Sequence, residues 1–319
     1  MPLLHRVEPV HKLNDRWRRF FENRALSLAI EPFIASNERV FTMGSCFARE
    51  IRFALAEQGV LVSPRFETVD LDMAQQRVDN LPDEPHLNYY NTFTIRQEFE
   101  RFAGIWQQSD GDYWTLKRNL FGSSVSYQDP YKRLTFGADP EKLRLAISEV
   151  NRVIDAGISN AAVFFFTFGM AEVFKKKDNG LVACQKPAYL GGGGSTETDF
   201  HASRFAENYA NLEKIRAIIK AINPHARLVV TVSPVPLERT FSGRDILVAN
   251  MAGKSMLRAC LEEFSDNYDD VTYFPAYEIV SLIGEAAYET RDLRHVDRKV
   301  VSVIMRAFVR AHVQTQPAE

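Results

Sequence analysis

The sequence predicts an α/β fold in which a five-stranded parallel sheet is covered by helices on both faces. Segments with strand and helix character alternate along most of the chain, an order that is typical of parallel sheets with crossover helices. Two of the expected strands, 161–168 and 226–233, are almost continuously apolar, as strands buried on both faces are. The chain has 319 residues and is 45% hydrophobic, which is enough for a large core.

The first strand and the helix that follows it meet at a Gly-Ser pair. Residues 39–43 are β-prone and stop at residues 44–45, and residues 46–57 then have helical spacing. Gly59 ends this helix, because glycine is favoured just after a helix C-terminus. Residues 60–62 are predicted to form the second strand.

Residues 63–140 differ in composition from the rest of the chain. They are rich in Asp, Asn and aromatic residues and have weak periodicity, so we expect a long connection with a helix at 94–102 and a hairpin near 113–127. Residues 172–184 are expected to form a turn between two short strands. The remaining elements are helices at 140–156, 202–222, 245–264 and 298–313, strands at 226–233 and 271–274, and a glycine-rich loop at 191–194.

The composition argues against several classes of function. A net charge of −2 leaves no basic excess, so no nucleic-acid partner is expected. Cys46, Cys184 and Cys260 are too far apart for a thiolate zinc site, and an odd count argues against a disulfide framework. No cluster of His and carboxylate residues has metal-ligand spacing, so no cofactor and no metal are predicted.

The N-terminal segment is charged and helical in pattern. Residues 10–35 have the spacing of an amphipathic helix that Pro32 interrupts. The first 20 residues lack the apolar run of a signal peptide, and no segment is long enough to span a membrane. A cytoplasmic location is the default expectation, and nothing in the sequence indicates an oligomeric state.

Ser45 is the candidate nucleophile, because it follows the first strand and opens a helix. In parallel sheets, ligands bind beyond the carboxyl ends of the strands, near a reversal of strand order. The unpaired amides of a helix N-terminus there stabilise an oxyanion while a serine hydroxyl attacks a carbonyl. Taken alone, Ser45 is more simply explained as a helix N-cap, a common role for serine.

Asp292 and His295, which follow the last strand, change that balance. Their three-residue spacing allows the carboxylate to orient the imidazole, which then takes the serine proton and returns it to the leaving group. In isolation, a charged surface loop explains them better, since Arg291, Arg294 and Asp297 are close by. Together with Ser45 they favour a catalytic triad. The serine does not lie in a Gly-x-Ser-x-Gly elbow, which disfavours an α/β-hydrolase.

The chain also carries a five-residue signature, Gly44-Ser-Cys-Phe-Ala48. By this signature it resembles the GSCFA family, whose members are similar to SGNH (GDSL-type) hydrolases. Further ordered blocks support the resemblance over residues 40–300: Asn88–Thr94 with Arg96-Gln97, Thr167–Phe174, Val232–Val235, Asn250 and Lys254, Tyr273–Glu278 and Asp292-x-x-His295.

The resemblance implies a three-layer α/β/α sandwich of the SGNH or flavodoxin-like kind and acyl-ester chemistry. Residues 1–319 would form one domain with an N-terminal helical extension, 1–35, and two insertions near the active site, 63–140 and 172–200. Ser45 would be the nucleophile, His295 the base and Asp292 its partner.

The sequence departs from SGNH enzymes where these usually carry Gly-x-Asn-Asp. The block here is Gly169-Met-Ala-Glu172, without asparagine, and Val296 replaces the proline that commonly follows the histidine. We therefore expect Asn91 and the backbone N–H groups of Ser45 and Gly169 to be the oxyanion donors. Gly44 allows a tight turn. Glu172 either binds substrate or supports the site, because an ionised carboxylate cannot donate a hydrogen bond.

The predicted function is a serine-dependent acyl-ester hydrolase, acting on an O-acylated carbohydrate or a similar small ester. Two alternatives stay open: an O-acyltransferase acting on a glycan, and a non-catalytic binding module on the same fold. Among the other candidates, Cys46 is expected to be a buried structural thiol. Lys254 and Arg258 lie one helical turn apart, and a solvated helix face is expected for them.

Overall fold

The structure is a computed structural model that describes residues 31–65, 88–116, 127–184, 186–187 and 194–314. Its strands are β1 (Arg39–Gly44), β2 (Leu61–Ser63), β3 (Trp114–Thr115), β4 (Tyr127–Gln128), β5 (Phe136–Gly137), β6 (Val163–Phe168), β7 (Glu172–Lys176), β8 (Thr198–Ala202), β9 (Arg227–Val232) and β10 (Val271–Tyr273). Its α-helices are α1 (Cys46–Glu57), α2 (Thr92–Phe102), α3 (Pro140–Asn160), α4 (Phe205–Ile222), α5 (Ile246–Asn267), α6 (Ala276–Ile283) and α7 (Arg298–His312).

A five-stranded parallel sheet in the order β2-β1-β6-β9-β10 forms the centre of the fold. This confirms the α/β class and the five strands expected from the sequence. The strand order reverses at β1, because β2 lies on one side of it and all later strands lie on the other. A ligand site is therefore expected where β1 and β6 end.

The sheet separates two hydrophobic cores, which makes the fold a three-layer sandwich. Successive strand residues point to opposite faces, so Phe164, Phe166 and Phe168 of β6 belong to one core while Phe165 belongs to the other. Helices α2, α3, α4 and α5 pack on the first face, and α1, α6 and α7 pack on the second. Burial on both faces explains why β6 is continuously apolar.

Two small antiparallel sheets lie in the connections. The hairpin expected near 113–127 corresponds to β3 and β4, and β5 adds a third strand that the sequence did not predict. Strand β7 pairs over its whole length with β8. Along its other edge, Val182 forms an antiparallel bridge with Lys175, and Ala183 N donates to Phe174 O at 2.8 Å. The turn expected within 172–184 is therefore present, but β8, the main partner of β7, lies outside that range. Of the expected loop at 191–194, the first three residues lie outside the described residues.

The helix predicted within 10–35 was expected to break at Pro32, and the chain around this proline is not helical. Residues 31–35 are not helical, and Ile34 forms a parallel bridge with Val313. The amides of Phe33 and Ile34 both donate to His312 O, at 2.8 and 2.7 Å, so this stretch pairs with the end of α7 instead. Residues 10–30 lie outside the described residues. None of the described helices has the length and apolar character needed to cross a membrane.

Gly44, the last residue of β1, is in very close contact with β6. Its φ is +151°, and a Cβ placed on it would lie 2.3 Å from Thr167 Oγ1 and 2.4 Å from Thr167 O. Only glycine fits both the backbone conformation and this contact. The chain enters the next residue, Ser45, directly from this position.

We expect Gly44→Ala to lower the free energy of unfolding by about 3 kcal/mol, since it adds a backbone collision to an unfavourable φ. Gly59→Ala is the matched control. Gly59 also has a positive φ, +76°, but nothing lies within 4 Å of its Cβ position, so we expect a loss of only about 1 kcal/mol. Urea denaturation measures both values. Equal losses would show that the contact with Thr167 contributes nothing.

Candidate active site

A cavity opens at the carboxyl ends of the central strands, where the strand order reverses. Its lining includes Ser45, Gly169 and Ser233, the first residues after β1, β6 and β9. A Cβ on Gly169 would lie 3.3 Å from Ser233 Cβ and 3.8 Å from Ser45 Cβ. Three strand ends therefore bring these residues together, as the rule for parallel sheets predicts.

Ser45 is held by hydrogen bonds on several sides. Its hydroxyl donates to Ser233 Oγ at 2.9 Å and lies 3.1 Å from Thr167 Oγ1. It accepts a hydrogen bond from Phe47 N at 3.3 Å, which makes Ser45 the N-cap of α1. The residue is only 3% exposed, yet it lines the cavity. Ser45 therefore caps a helix and also faces the candidate site.

Asp292 and His295 form the expected pair. His295 Nδ1 is hydrogen-bonded to Asp292 Oδ2, and the amides of His295 and Arg294 both donate to Asp292 Oδ1 at 3.0 Å. The hydrogen bond from the His295 ring and these two amides hold the pKa of the Asp292 carboxyl well below its usual range. Leu293, inside this turn, has a φ of +52°, a conformation that is rare for a side chain of its size. The turn thus fixes an ionised carboxylate against the imidazole.

The pair lies at the edge of the same cavity. Arg294 is a lining residue, whereas His295 is not among the described residues that line it. The Ser45 hydroxyl is bonded to Ser233, Thr167 and Phe47 N, and no hydrogen bond joins it to His295 among the described residues. The structure therefore places Arg294, from the turn that carries the pair, in the cavity lining together with Ser45, and it directs the serine proton to Ser233.

The expected oxyanion donors differ in whether their N–H groups already donate to an acceptor in the protein. Ser45 N donates to Thr167 Oγ1 at 2.8 Å, and Gly169 N donates to Tyr90 O at 2.8 Å. Both amides are thus already paired in this structure, which corrects the expectation that they face a bound substrate. Asn91 lines the cavity, and its Oδ1 accepts a hydrogen bond from Thr94 N at 2.9 Å as the N-cap of α2. Within the part of the chain that the structure describes, no acceptor is hydrogen-bonded to its side-chain NH₂ group.

Gly44 and Glu172 serve the site without facing a ligand directly. Gly44 packs against Thr167 and is not one of the described lining residues. Glu172 lines the cavity, but its carboxylate accepts hydrogen bonds from Thr240 Oγ1 at 2.5 Å and from Phe241 N at 2.9 Å. Of the two roles expected for Glu172, the support of a neighbouring loop is the one that these contacts favour.

Cys46 is not the buried thiol that the sequence suggested. It is partly exposed and lines the cavity beside Ser45. Burial raises the pKa of its thiol, and this effect outweighs nearby cations, of which Arg294 lowers the pKa most. A protonated thiol is a poor nucleophile, so Ser45 stays the candidate. Among the described residues, no group of three His, Cys, Asp or Glu side chains is arranged to hold a metal ion.

Lys254 is the site residue that sequence reasoning misjudged. It is 2% exposed, and its Nζ donates to Ser233 O at 2.7 Å and to Val235 O at 2.9 Å. The solvated helix face expected for Lys254 is therefore wrong, because this face of α5 packs over the segment after β9. Arg258, one turn later, pairs with Glu262 and Glu278. Lys254 fixes the backbone of the residue that receives the Ser45 proton.

The comparison with known families agrees with the sequence signature. The family model described as the GSCFA family matches residues 39–308, a span that begins at β1 and reaches into α7. It includes Ser45, Asp292 and His295. A search of curated proteins gave no match.

The burial of Lys254 has a measurable consequence for stability. Burial lowers its pKa to about 7, whereas the pKa of lysine in an unfolded chain is about 10.4. Between these values the unfolded chain binds more protons than the folded protein, so stability rises with pH. From pH 7 towards pH 10, we expect the free energy of unfolding of the wild type to rise relative to that of Lys254→Met by up to about 1.4 kcal/mol per pH unit.

Urea denaturation at several pH values across this range measures the difference. Lys214→Met, which removes an exposed lysine from α4, is the control for the loss of one charge. Parallel stability curves for wild type and Lys254→Met would contradict the expected burial of the ammonium group.

Proposed function

The chain belongs to the GSCFA family, and from this premise and the geometry of its cavity we propose that it is a serine-dependent acyl-ester hydrolase. The substrate would be an O-acylated carbohydrate or a similar small ester. One observation carries the proposal. A serine hydroxyl faces the cavity at the point where strand order reverses, and an Asp–His pair lies one residue from the cavity lining.

The reaction would begin with attack of Ser45 Oγ on the ester carbonyl. His295 Nε2 takes the hydroxyl proton as the Oγ–carbon bond forms, and Asp292 holds the opposite ring nitrogen. The same proton then goes to the leaving alkoxide as the ester bond breaks. Water attacks the acyl-enzyme in the second half of the reaction and releases the acid.

This assignment requires the His295 ring to turn towards Ser45, whose proton is directed to Ser233. Catalytic hydrogen bonds are often long or misaligned until substrate binds. The His295 side chain is 45% exposed, so no packed core opposes such a rotation.

The oxyanion would be bound by Asn91 Nδ2 and by the first amides of α1. Asn91 uses its carbonyl oxygen as a helix cap, which leaves the amide hydrogens to donate into the cavity. Cys46 N belongs to the first turn of α1, where amides have no acceptor within the helix. Such fixed donors contribute most when they face the charge that develops in the transition state.

An O-acyltransferase acting on a glycan is the second candidate. The feature that favours it is the apolar wall that the 172–200 insertion adds to the cavity, made of Val173, Phe174 and Ala183. A wall of this kind disfavours water at the acyl-enzyme and leaves room for a sugar hydroxyl. Both reactions share the same acyl-enzyme.

We expect Ser45→Ala to lower the turnover of para-nitrophenyl acetate by on the order of a thousandfold or more, because the substitution removes the oxygen that attacks the ester carbonyl. The cap it removes also costs about 1 kcal/mol of stability. Asp245→Ala is the matched control, since it removes the N-cap of α5, whose side chain accepts from Leu247 N, away from the cavity lining.

An organophosphate probe provides a second readout, because it should label the peptide that contains Ser45. Unchanged turnover in Ser45→Ala would rule out Ser45 as the nucleophile. A folded parent protein that cleaves no ester of any acyl length would favour the binding module instead.

Hydrolase and transferase should separate in a competition between water and a sugar. If the protein is a hydrolase, adding a monosaccharide leaves acetate as the sole acyl product. If it is a transferase, acetylated sugar forms, and para-nitrophenol release accelerates wherever deacylation limits the rate. Mass spectrometry of the products measures the ratio, with Ser45→Ala as the blank. If acetylated sugar formed at the same rate with Ser45→Ala, the product would come from background chemistry and not from the enzyme.

A further inference from the structure

Positive side chains outnumber negative ones around the cavity. The described lining residues include four cations and two carboxylates, and both carboxylates have partners within the protein. Glu172 accepts from Thr240 and Phe241 N, and Glu238 accepts from Arg239. The cations are Arg133, Lys186, Arg239 and Arg294.

Among these cations, Arg294 is the one next to a proposed catalytic residue in the sequence, because it directly precedes His295. Its Nε donates to Pro236 O at 3.3 Å. Within the ranges that the structure describes, no carboxylate forms an ion pair with its guanidinium. A guanidinium that lines a cavity and is satisfied by one carbonyl retains donors for a ligand.

The positive field reaches the residue beside the nucleophile. The Cys46 thiol, next to Ser45 in the chain, interacts with several cations that lower its pKa against the larger effect of burial. Arg133 also lies over the ring of Tyr90, 5.6 Å from the centroid. The cations concerned are Arg294, Arg49, Lys254 and Arg133.

We propose that Arg294 binds a carboxylate or phosphate group on the substrate, an inference that rests on the proposed esterase function. The planar guanidinium matches the two oxygens of either anion. Because Arg294 adjoins His295, which would protonate the leaving oxygen, the anionic group belongs to the alcohol part of the ester. The apolar wall of Val173, Phe174 and Ala183 is then left for the acyl group.

The test measures binding without turnover, by calorimetry on the Ser45→Ala protein. Three esters of one shape are compared: para-acetoxybenzoate, para-acetoxyphenyl phosphate and the neutral methyl para-acetoxybenzoate. We expect at least one anionic ester to bind about tenfold more tightly than the neutral one, as a charge-assisted contact predicts. The tighter of the two anions identifies the group that is recognised.

Adding Arg294→Gln should abolish the preference for the anion, whereas adding Arg291→Gln should preserve it. Arg291 is the matched control because it lies in the same loop, pairs with Glu289, and has a side chain that is 72% exposed. The proposal is overturned if all three esters bind alike, if neither anion binds at millimolar concentration, or if the preference survives Arg294→Gln. Loss of ester turnover in Ser45→Ala tests the catalytic assignment separately, so the two can fail independently.

Discussion

The contact between Gly44 and Thr167 is the constraint on which the site depends. It joins β1 to β6 at the point where the strand order reverses, and it brings Thr167 Oγ1 within 2.8 Å of Ser45 N. Because the serine is thereby fixed at both its amide and its hydroxyl, its direction is set by the sheet and not by a surface loop. Two hydrophobic cores pack against the two faces of the same strands. Ser45, the proposed nucleophile, is consequently held by more hydrogen bonds than the half-exposed His295.

The connection between β2 and α3, which contributes Tyr90, Asn91 and Arg133 to the cavity lining, is anchored by a buried ionic cluster. The Glu98 carboxylate accepts hydrogen bonds from Tyr89 OH and Arg101 Nε, both at 2.6 Å, and from Lys132 Nζ at 3.1 Å. Burial raises the pKa of Glu98, but Lys132 and Arg101 outweigh it and lower the pKa to about 2. The cluster ties α2 to the segment that carries Arg133. The segment that carries Arg133 is thereby fixed beside the sheet.

Strand ends were the part of the site that sequence could predict, because apolar runs locate strands and a parallel sheet aligns their carboxyl ends. Pairing between distant segments was not predictable in this way. The pairing of β7 with β8 depends on contacts that no local pattern encodes. Helix α6 is only eight residues long, too short for periodicity to identify. The burial of Lys254 depends on which segment packs over α5, and a charged residue at helical spacing suggests water instead.

The turn that holds Asp292 and His295 lies far from Ser45 along the chain but beside the same cavity. On the proposed assignment, a polypeptide emerging from the ribosome has its serine in place long before the imidazole is synthesised. The hydroxyl would lack its base until then, and its hydrogen-bond partners Thr167 and Ser233 also come later in the chain. Reactivity towards cellular esters would begin only once the turn with Asp292 and His295 has packed beside the cavity. A chain that stops before this turn would not cleave esters.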